Sequence, residues 1–170
     1  MIQVIETNFA DAKLFVPDIF EDDRGLLTET FSAENYAQLG LRETFVQDLV
    51  TWTAQNSIRG LHYDPRMAKF VQVLKGRVYD VIVDMREDSA TYKKWQGFYL
   101  SDYNHHQLFI PSNFAHGYLT LTQDVVFYYK MTAQHDLQYE KRINWRDPSI
   151  GIDWPVSGNV RISRKDDMPS

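Results

Sequence analysis

Apolar and polar residues alternate along most of the chain, with the period of two that is typical of β-strands. Residues 69–85, KFVQVLKGRVYDVIVDM, contain two such runs with Lys75-Gly76 between them. Because glycine readily adopts the positive φ of a tight turn, this segment predicts a strand, a turn and a second strand, as in a hairpin. More short strands are expected in the segments QGFYLS, HQLFIP, HGYLTLT and DVVFYYKMT. Short strands at regular spacing favour an all-β barrel or sandwich.

Helix is expected only in residues 32–40, where Ser32 is a candidate N-cap and Gly40 a candidate stop. Polar segments rich in Gly, Pro and Asp, at 21–25 and 145–155, are predicted connections. By composition alone, the charged tail RISRKDDMPS is predicted to be disordered. We expect one compact β domain over residues 1–170, with an apolar N-terminal arm (1–20) able to pair with another subunit.

Composition excludes several classes of function. The 170 residues carry a net charge of −5, so neither nucleic acid nor an anionic membrane is the expected main partner. The chain has no cysteine, which excludes disulfides and thiolate chemistry and fits a cytoplasmic protein. No apolar run approaches the length of a membrane span, and the N-terminus lacks the pattern of a signal peptide.

The candidate chemistry begins with His62 in the apolar run IRGLH, where a histidine by itself is typical of a packed core. Lys69 begins a strand seven residues later, so it points either to solvent at an edge or into the barrel beside His62. Tyr128 and Tyr129 must face opposite ways, and His116 lies where the chain re-enters a strand. A base, a cation and a phenol inside one barrel suit proton abstraction beside a carbonyl.

A set of longer motifs carries a family resemblance. In chain order they are DDRGLLTETF (22–31), FVQD (45–48), IRGLHY (58–63), the segment 68–95, QLFIPSNFAHGYLTL (107–121), FYYK (127–130), INWRDPSIGIDWP (143–155) and ISRKD (162–166). Together they cover most of the chain, and it resembles the dTDP-4-dehydrorhamnose 3,5-epimerase family of sugar-nucleotide epimerases. The resemblance implies a cupin-type jelly roll, a homodimer and catalysis without a cofactor.

The resemblance also implies roles for the matching residues. His62 would be the general base that removes a proton beside the C4 ketone of a dTDP-4-keto-6-deoxyhexose, and Asp166 would orient it. Lys69 would stabilise the enolate, and Tyr129 would return a proton on the opposite face. Other matching positions would hold the nucleotide or the sugar, and the arginines among them suit the diphosphate. These positions are Arg24, Glu29, Gln47, Arg59 and His116.

The chain departs from the family pattern at three places. Leu49 stands where an asparagine is usual, Met67 ends a shortened loop in place of a glutamine, and Gln134-His135 replaces a pair of aromatic residues. These changes are either neutral or alter which carbon is epimerised or which sugar fits. A mono-epimerase acting at C3 or C5 alone is therefore one alternative, and a non-catalytic cupin that binds a sugar nucleotide or a metal is another.

A metal site is not expected. Metal-binding cupins use two histidines one residue apart, whereas RGLHYD offers one. His105 and His106 are adjacent, so on a strand they would point to opposite faces and could not chelate one ion together.

Overall fold

The computed structural model describes residues 1–167, and these form fourteen strands and one helix. In chain order the elements are β1 (Gln3–Glu6), β2 (Lys13–Val16), β3 (Ile19–Asp22), β4 (Gly25–Thr28), α1 (Ala33–Gln38), β5 (Gln47–Thr53), β6 (Ser57–Tyr63), β7 (Lys69–Lys75), β8 (Arg77–Asp84), β9 (Trp95–Ser101), β10 (Gln107–Ile110), β11 (Phe114–Thr120), β12 (Val125–Met131), β13 (Lys141–Arg142) and β14 (Arg161–Ile162).

Two sheets make the body of the protein. The first has the strand order β1-β2-β10-β7-β12-β5, and the second has the order β13-β6-β11-β8-β9, with β14 added beside β6. All the pairings are antiparallel except the one between β14 and β6. The hairpin β3–β4 forms a small third sheet. The fold is an all-β, cupin-type jelly roll, as predicted.

The core lies between the inner faces of the two sheets. Val71 and Val73 of β7 and Phe127 of β12 meet Ile82 of β8 and Tyr118 of β11 there, all nearly inaccessible to solvent. On β7 the alternation places Lys69 on the same face as these two valines. The period-two pattern of the sequence therefore correctly groups the side chains of β7 that share a face, and the structure shows that this face is the inward one.

The predicted hairpin at residues 69–85 is wrong in its pairing. Both strands are present, and Gly76 between them has a φ of +83° as expected. However, β7 pairs with β10 and β12, whereas β8 pairs with β11 and β9. The turn at Gly76 carries the chain from one sheet to the other, so the two strands do not share a ladder.

Both ends of the described chain are more integrated than the sequence predicted. The N-terminal arm pairs with its own chain, because β1 and β2 extend the first sheet and bury Phe9 and Phe15. The tail is not disordered over residues 161–167, since β14 pairs with β6 and Asp166 is buried. Residues 168–170 lie outside the described part of the chain.

The single predicted helix is confirmed. The Ser32 side chain caps α1 by accepting a hydrogen bond from the backbone N–H of Asn35, and Gly40 follows its end with a φ of +89°. Within residues 1–167, no helix has the length and apolar character that a membrane span requires.

Candidate functional site

A cavity of about 160 Å³ opens between the two sheets, at the ends of strands β6, β7, β11 and β12. A second opening of the same cleft runs toward the C-terminal tail and shares His62, Arg59 and Tyr129 with it. The cavity is lined by Leu49, Thr51, Arg59, His62, Tyr63, Asp64, Met67, Lys69, His116, Tyr118, Tyr129, Met131, His135, Asp136 and Glu140.

His62 lies near the end of β6 with one ring nitrogen already engaged. Its Nε2 lies 2.7 Å from Oδ1 of Asp166 in the tail. Burial alone would raise the pKa of Asp166, but the hydrogen bond from His62 and the charge of that ring lower it below its usual value. Asp166 is therefore a carboxylate at neutral pH, so Nε2 of His62 is the donor in this pair. In the tautomer that carries its proton on Nε2, Nδ1 of His62 has a free lone pair.

Lys69 and Tyr129 approach the cavity from the opposite sheet, on the neighbouring strands β7 and β12. The Lys69 Nζ donates a hydrogen bond to the backbone carbonyl of His62 at 3.3 Å, so the bend between β6 and β7 brings the two residues together. Burial lowers the pKa of Lys69 to about 8. Burial, and after it the neighbouring Tyr118, raises the pKa of Tyr129 well above its usual value, so the phenol keeps its proton at neutral pH.

His116 forms a buried pair at the back of the cavity. Its Nε2 lies 2.8 Å from Oδ2 of Asp80 on β8, and both side chains are almost fully buried. Burial lowers the pKa of His116 and raises the pKa of Asp80, so it disfavours the charged form of both partners, and the hydrogen bond between Nε2 and Oδ2 joins the two side chains. His116 also lies directly opposite His62 in the register of β11 and β6.

The close approach of the paired strands β6 and β11 beside His62 and His116 depends on two glycines. A Cβ on Gly60 would lie 2.6 Å from the Cα of Gly117, and a Cβ on Gly117 would lie 2.7 Å from the carbonyl oxygen of Arg59. Gly60 also has a φ of +118°. Only glycines allow the two backbones to approach so closely, and this approach fixes His62 relative to His116.

Arg59 and Gln47 lie at the rim. The Arg59 Nε donates to Oγ1 of Thr53 at 2.9 Å, and its side chain borders both openings of the cleft. The Gln47 side-chain carbonyl accepts a hydrogen bond from the backbone N–H of His135 at 2.7 Å, which fixes the start of the loop that closes one side of the cavity.

Two predicted binding residues lie away from this cavity. Arg24 is at the tip of the β3–β4 hairpin, exposed and paired with Asp22. Glu29 accepts hydrogen bonds from the side chain of Asn35 beside α1. The structure thus brings seven of the nine predicted site residues to one region of a single chain: His62, Lys69, Tyr129, Asp166, Arg59, His116 and Gln47.

The departures from the family pattern map onto the site. Leu49 of β5 and Met67 of the shortened loop both line the cavity and make its wall more apolar. His135 lines it as well, with Nε2 2.9 Å from Oε2 of Glu140. Gln134 is exposed and not part of the cavity lining.

Sequence reasoning missed two carboxylates of the site. Asp80 interrupts an apolar strand at an inward-facing position, between Val78 and Ile82, and that pattern could have identified it. Glu140 lies in an irregular loop, where no periodicity shows which way a side chain points. Within residues 1–167, no group of three or more His, Asp or Glu side chains is arranged to hold a metal ion.

The fold and the cavity are those of a cupin-type jelly-roll protein with titratable groups from both sheets facing one space. The sequence model of the dTDP-4-dehydrorhamnose 3,5-epimerase family matches residues 6–170. The chain belongs to this family, whose members are isomerases.

Individual relatives agree with this assignment. The dTDP-4-dehydrorhamnose 3,5-epimerase of Methanothermobacter thermautotrophicus is 39% identical over 166 residues, which are 95% of this chain and 90% of that protein. The crystal structure of the Bacillus anthracis enzyme with TDP and PPi bound superposes with a TM-score of 0.95 at 42% identity, covering 100% of this chain and 99% of that one. The Legionella pneumophila epimerase in complex with dTDP-4-keto-L-rhamnose gives a TM-score of 0.95 at 38% identity, covering 98% and 90%.

Proposed function

We propose that this protein epimerises dTDP-4-keto-6-deoxyglucose at C3 and C5 to give dTDP-4-keto-L-rhamnose, in the biosynthesis of dTDP-rhamnose. Its membership of the epimerase family supports the substrate class and the reaction. One observation carries the mechanism. His62 and Tyr129 reach the same cavity from opposite sheets, and inversion at carbon needs one group on each face of the substrate.

His62 acts as the base in this proposal. Its Nδ1 takes the proton from the carbon beside the C4 ketone, and the electron pair of the broken C–H bond becomes the enolate. Asp166, 2.7 Å from Nε2, stabilises the imidazolium that results. Asp166 thus has two effects on His62: it fixes the tautomer of the neutral ring, and it stabilises the charged ring.

Lys69 stabilises the enolate and Tyr129 completes the inversion. The ammonium of Lys69 is held beside His62 by its hydrogen bond to the His62 carbonyl, where it would face the negative charge that develops on the ketone oxygen. Tyr129 is protonated at neutral pH and donates its phenolic proton to the opposite face of the carbon. The same cycle acts at each of the two carbons that flank the ketone.

The direct test is proton exchange. The protein is incubated with dTDP-4-keto-6-deoxyglucose in D₂O, and the C3 and C5 protons are followed by NMR. We expect both signals to disappear as the rhamno-configured product forms. Loss of one signal alone would indicate a mono-epimerase, and retention of both would contradict the proposal.

We also propose that the protein is a homodimer. The β3–β4 hairpin exposes Phe20, Leu26 and Leu27, and Trp52 on the edge strand β5 is 74% exposed. Exposed apolar side chains on a hairpin and beside a free sheet edge are characteristic of an interface between subunits. A second copy covering them would also give Arg24, at the tip of that hairpin, a place against a substrate phosphate.

Sedimentation velocity tests the dimer. Leu27→Asp should shift the protein from dimer toward monomer, because a charge would be buried in the interface. Leu137→Asp is the matched control, since Leu137 is comparably exposed but belongs to the loop between β12 and β13 and not to the hairpin. A monomeric wild type, or equal effects of the two substitutions, would overturn the dimer proposal.

A further inference from the structure

Glu140 places a second carboxylate beside His62. Its Oε2 lies 4.0 Å from Nδ1, the nitrogen that remains free once Nε2 is engaged by Asp166. That distance is too long for a hydrogen bond but short enough for strong electrostatic attraction. The Glu140 side chain is only 8% exposed, so water screens this attraction weakly.

Two donors keep Glu140 in this position. Arg142 donates from Nε and Nη2 to Oε1, at 2.8 Å each. His135 donates from Nε2 to Oε2, the oxygen nearer to His62, at 2.9 Å. The backbone N–H of His135 is itself fixed by the side chain of Gln47. The orientation of the oxygen that faces the base therefore depends on His135.

Titratable and charged side chains lie near His62 on several neighbouring elements. Burial alone would raise the pKa of Glu140, but His135, then His62 and Arg142, lower it below its usual value, so Glu140 is ionised at neutral pH. A carboxylate free to rotate onto Nδ1 would favour a proton there and so occupy the lone pair of the base. Asp166 contacts the ring at Nε2, Lys69 bonds the backbone carbonyl of His62, and His116 and Arg142 lie opposite His62 on the two neighbouring strands.

We infer that His135 is a positioning residue that holds Glu140 near the His62 ring yet off Nδ1, which keeps the base free to accept a proton from carbon. In this position Glu140 stabilises the imidazolium after proton transfer without competing for the nitrogen beforehand. The inference rests on the proposed function of His62 as the base. His135 is one of the positions at which this chain departs from its family pattern, so this departure would have a function in the site.

The test uses three variants of the full chain. His135→Phe removes the donor, His135→Gln retains a donor at about the position of Nε2, and Gln134→Phe introduces the same ring one residue away, at an exposed position outside the cavity. Thermal unfolding verifies that each variant is folded. The ¹⁵N NMR signals of the His62 ring report which nitrogen carries a proton in the substrate-free protein, and steady-state kinetics report kcat and KM.

We expect His135→Phe to place a proton on Nδ1 of His62 near pH 7.5 and to lower kcat about tenfold, which is less than the roughly 10²–10⁴-fold that general acid–base catalysis contributes, because the base itself remains. His135→Gln should restore both readouts, and Gln134→Phe should match the wild type. An unchanged His62 spectrum in His135→Phe would overturn the inference, as would an equal loss of kcat in His135→Gln. If the wild type exchanges no substrate proton but the spectrum still changes, the proposed function fails and the positioning of Glu140 stands.

Discussion

The Nε2 atom of His62 and the Oδ1 atom of Asp166 lie 2.7 Å apart, although 104 residues separate them in the chain. The pairing of β14 with β6 makes this contact possible, because it brings the tail alongside the strand that carries His62. The tail therefore supplies part of the candidate catalytic machinery as well as a strand of the fold.

Asp166→Asn should lower kcat by about 10²-fold, because the imidazolium formed during proton abstraction loses its carboxylate partner. Asp167→Asn is the control, since Asp167 is the neighbouring carboxylate and pairs with the exposed Arg146 instead. NMR assays of epimerisation at constant pH measure both effects. Equal activity of the two variants would contradict a role for Asp166.

Because of Lys69, we expect the activity of the enzyme to fall at alkaline pH. Its pKa is lowered to about 8 by burial, and the ammonium form is the one that stabilises an enolate. For the free enzyme, kcat/KM should therefore fall as the pH rises through 8. Lys69→Met should lose about 10²-fold or more in kcat and flatten that limb. A wild-type profile that stays level to pH 10 would contradict this assignment.

The lowered pKa of Lys69 also makes the free energy of unfolding depend on pH. The usual pKa of the lysine is 10.5, so between pH 8 and 10.5 the unfolded chain binds this proton more tightly than the folded protein. The contribution of Lys69 to the free energy of unfolding therefore rises with pH across that window. Urea titrations of wild type and Lys69→Met at pH 8 and pH 10 measure it, and the stability of the wild type relative to the variant should rise at the higher pH.

The buried His116–Asp80 pair predicts a large stability effect. His116→Leu should destabilise the fold by about 3–5 kcal/mol, because the Asp80 carboxyl group is left buried without its hydrogen-bond partner. The double variant His116→Leu with Asp80→Asn should recover part of that loss, since no ionisable group remains buried at the site. Urea denaturation measures both. A larger loss in the double variant than in the single one would show that the unpaired Asp80 carboxyl group is not the cause of the loss.

The approach of Gly60 to Gly117 predicts a steric effect. Gly117→Ala should cost about 3 kcal/mol, because its Cβ would lie 2.7 Å from a backbone oxygen that cannot move alone. Gly158→Ala is the control at an open position, where only the positive φ of +76° is unfavourable and about 1 kcal/mol is expected. Thermal unfolding compares them, and similar losses would show that the close approach is not needed.

Sequence patterns predicted the parts of the site that depend on local geometry. Strand alternation predicted that Lys69 shares a face with Val71 and Val73 and that Tyr128 and Tyr129 face opposite ways, but which face points inward came from the family resemblance. The pairing of strands could not be predicted in the same way. The turn at Gly76 would have the same local conformation whether the two strands beside it pair with each other or belong to opposite sheets. Asp166 was identified through the family motif and not from the composition of its segment, which is that of a disordered tail. Glu140 could not be identified, since its position follows only from the packing of an irregular loop on His62.

In the proposed mechanism, His62 removes the proton on one face of the carbon and Tyr129 returns one on the other. The most direct measurement compares His62→Ala, Tyr129→Phe and the control Tyr128→Phe, whose hydroxyl bonds Asp48 and lies on the other face of β12. Each is incubated with dTDP-4-keto-6-deoxyglucose in D₂O, and exchange and inversion are followed separately by NMR. We predict that Tyr129→Phe still incorporates deuterium with retained configuration while inversion falls about 10²-fold or more, that His62→Ala does neither, and that Tyr128→Phe does both. Inversion at the wild-type rate by Tyr129→Phe, or exchange by His62→Ala, would contradict the claim.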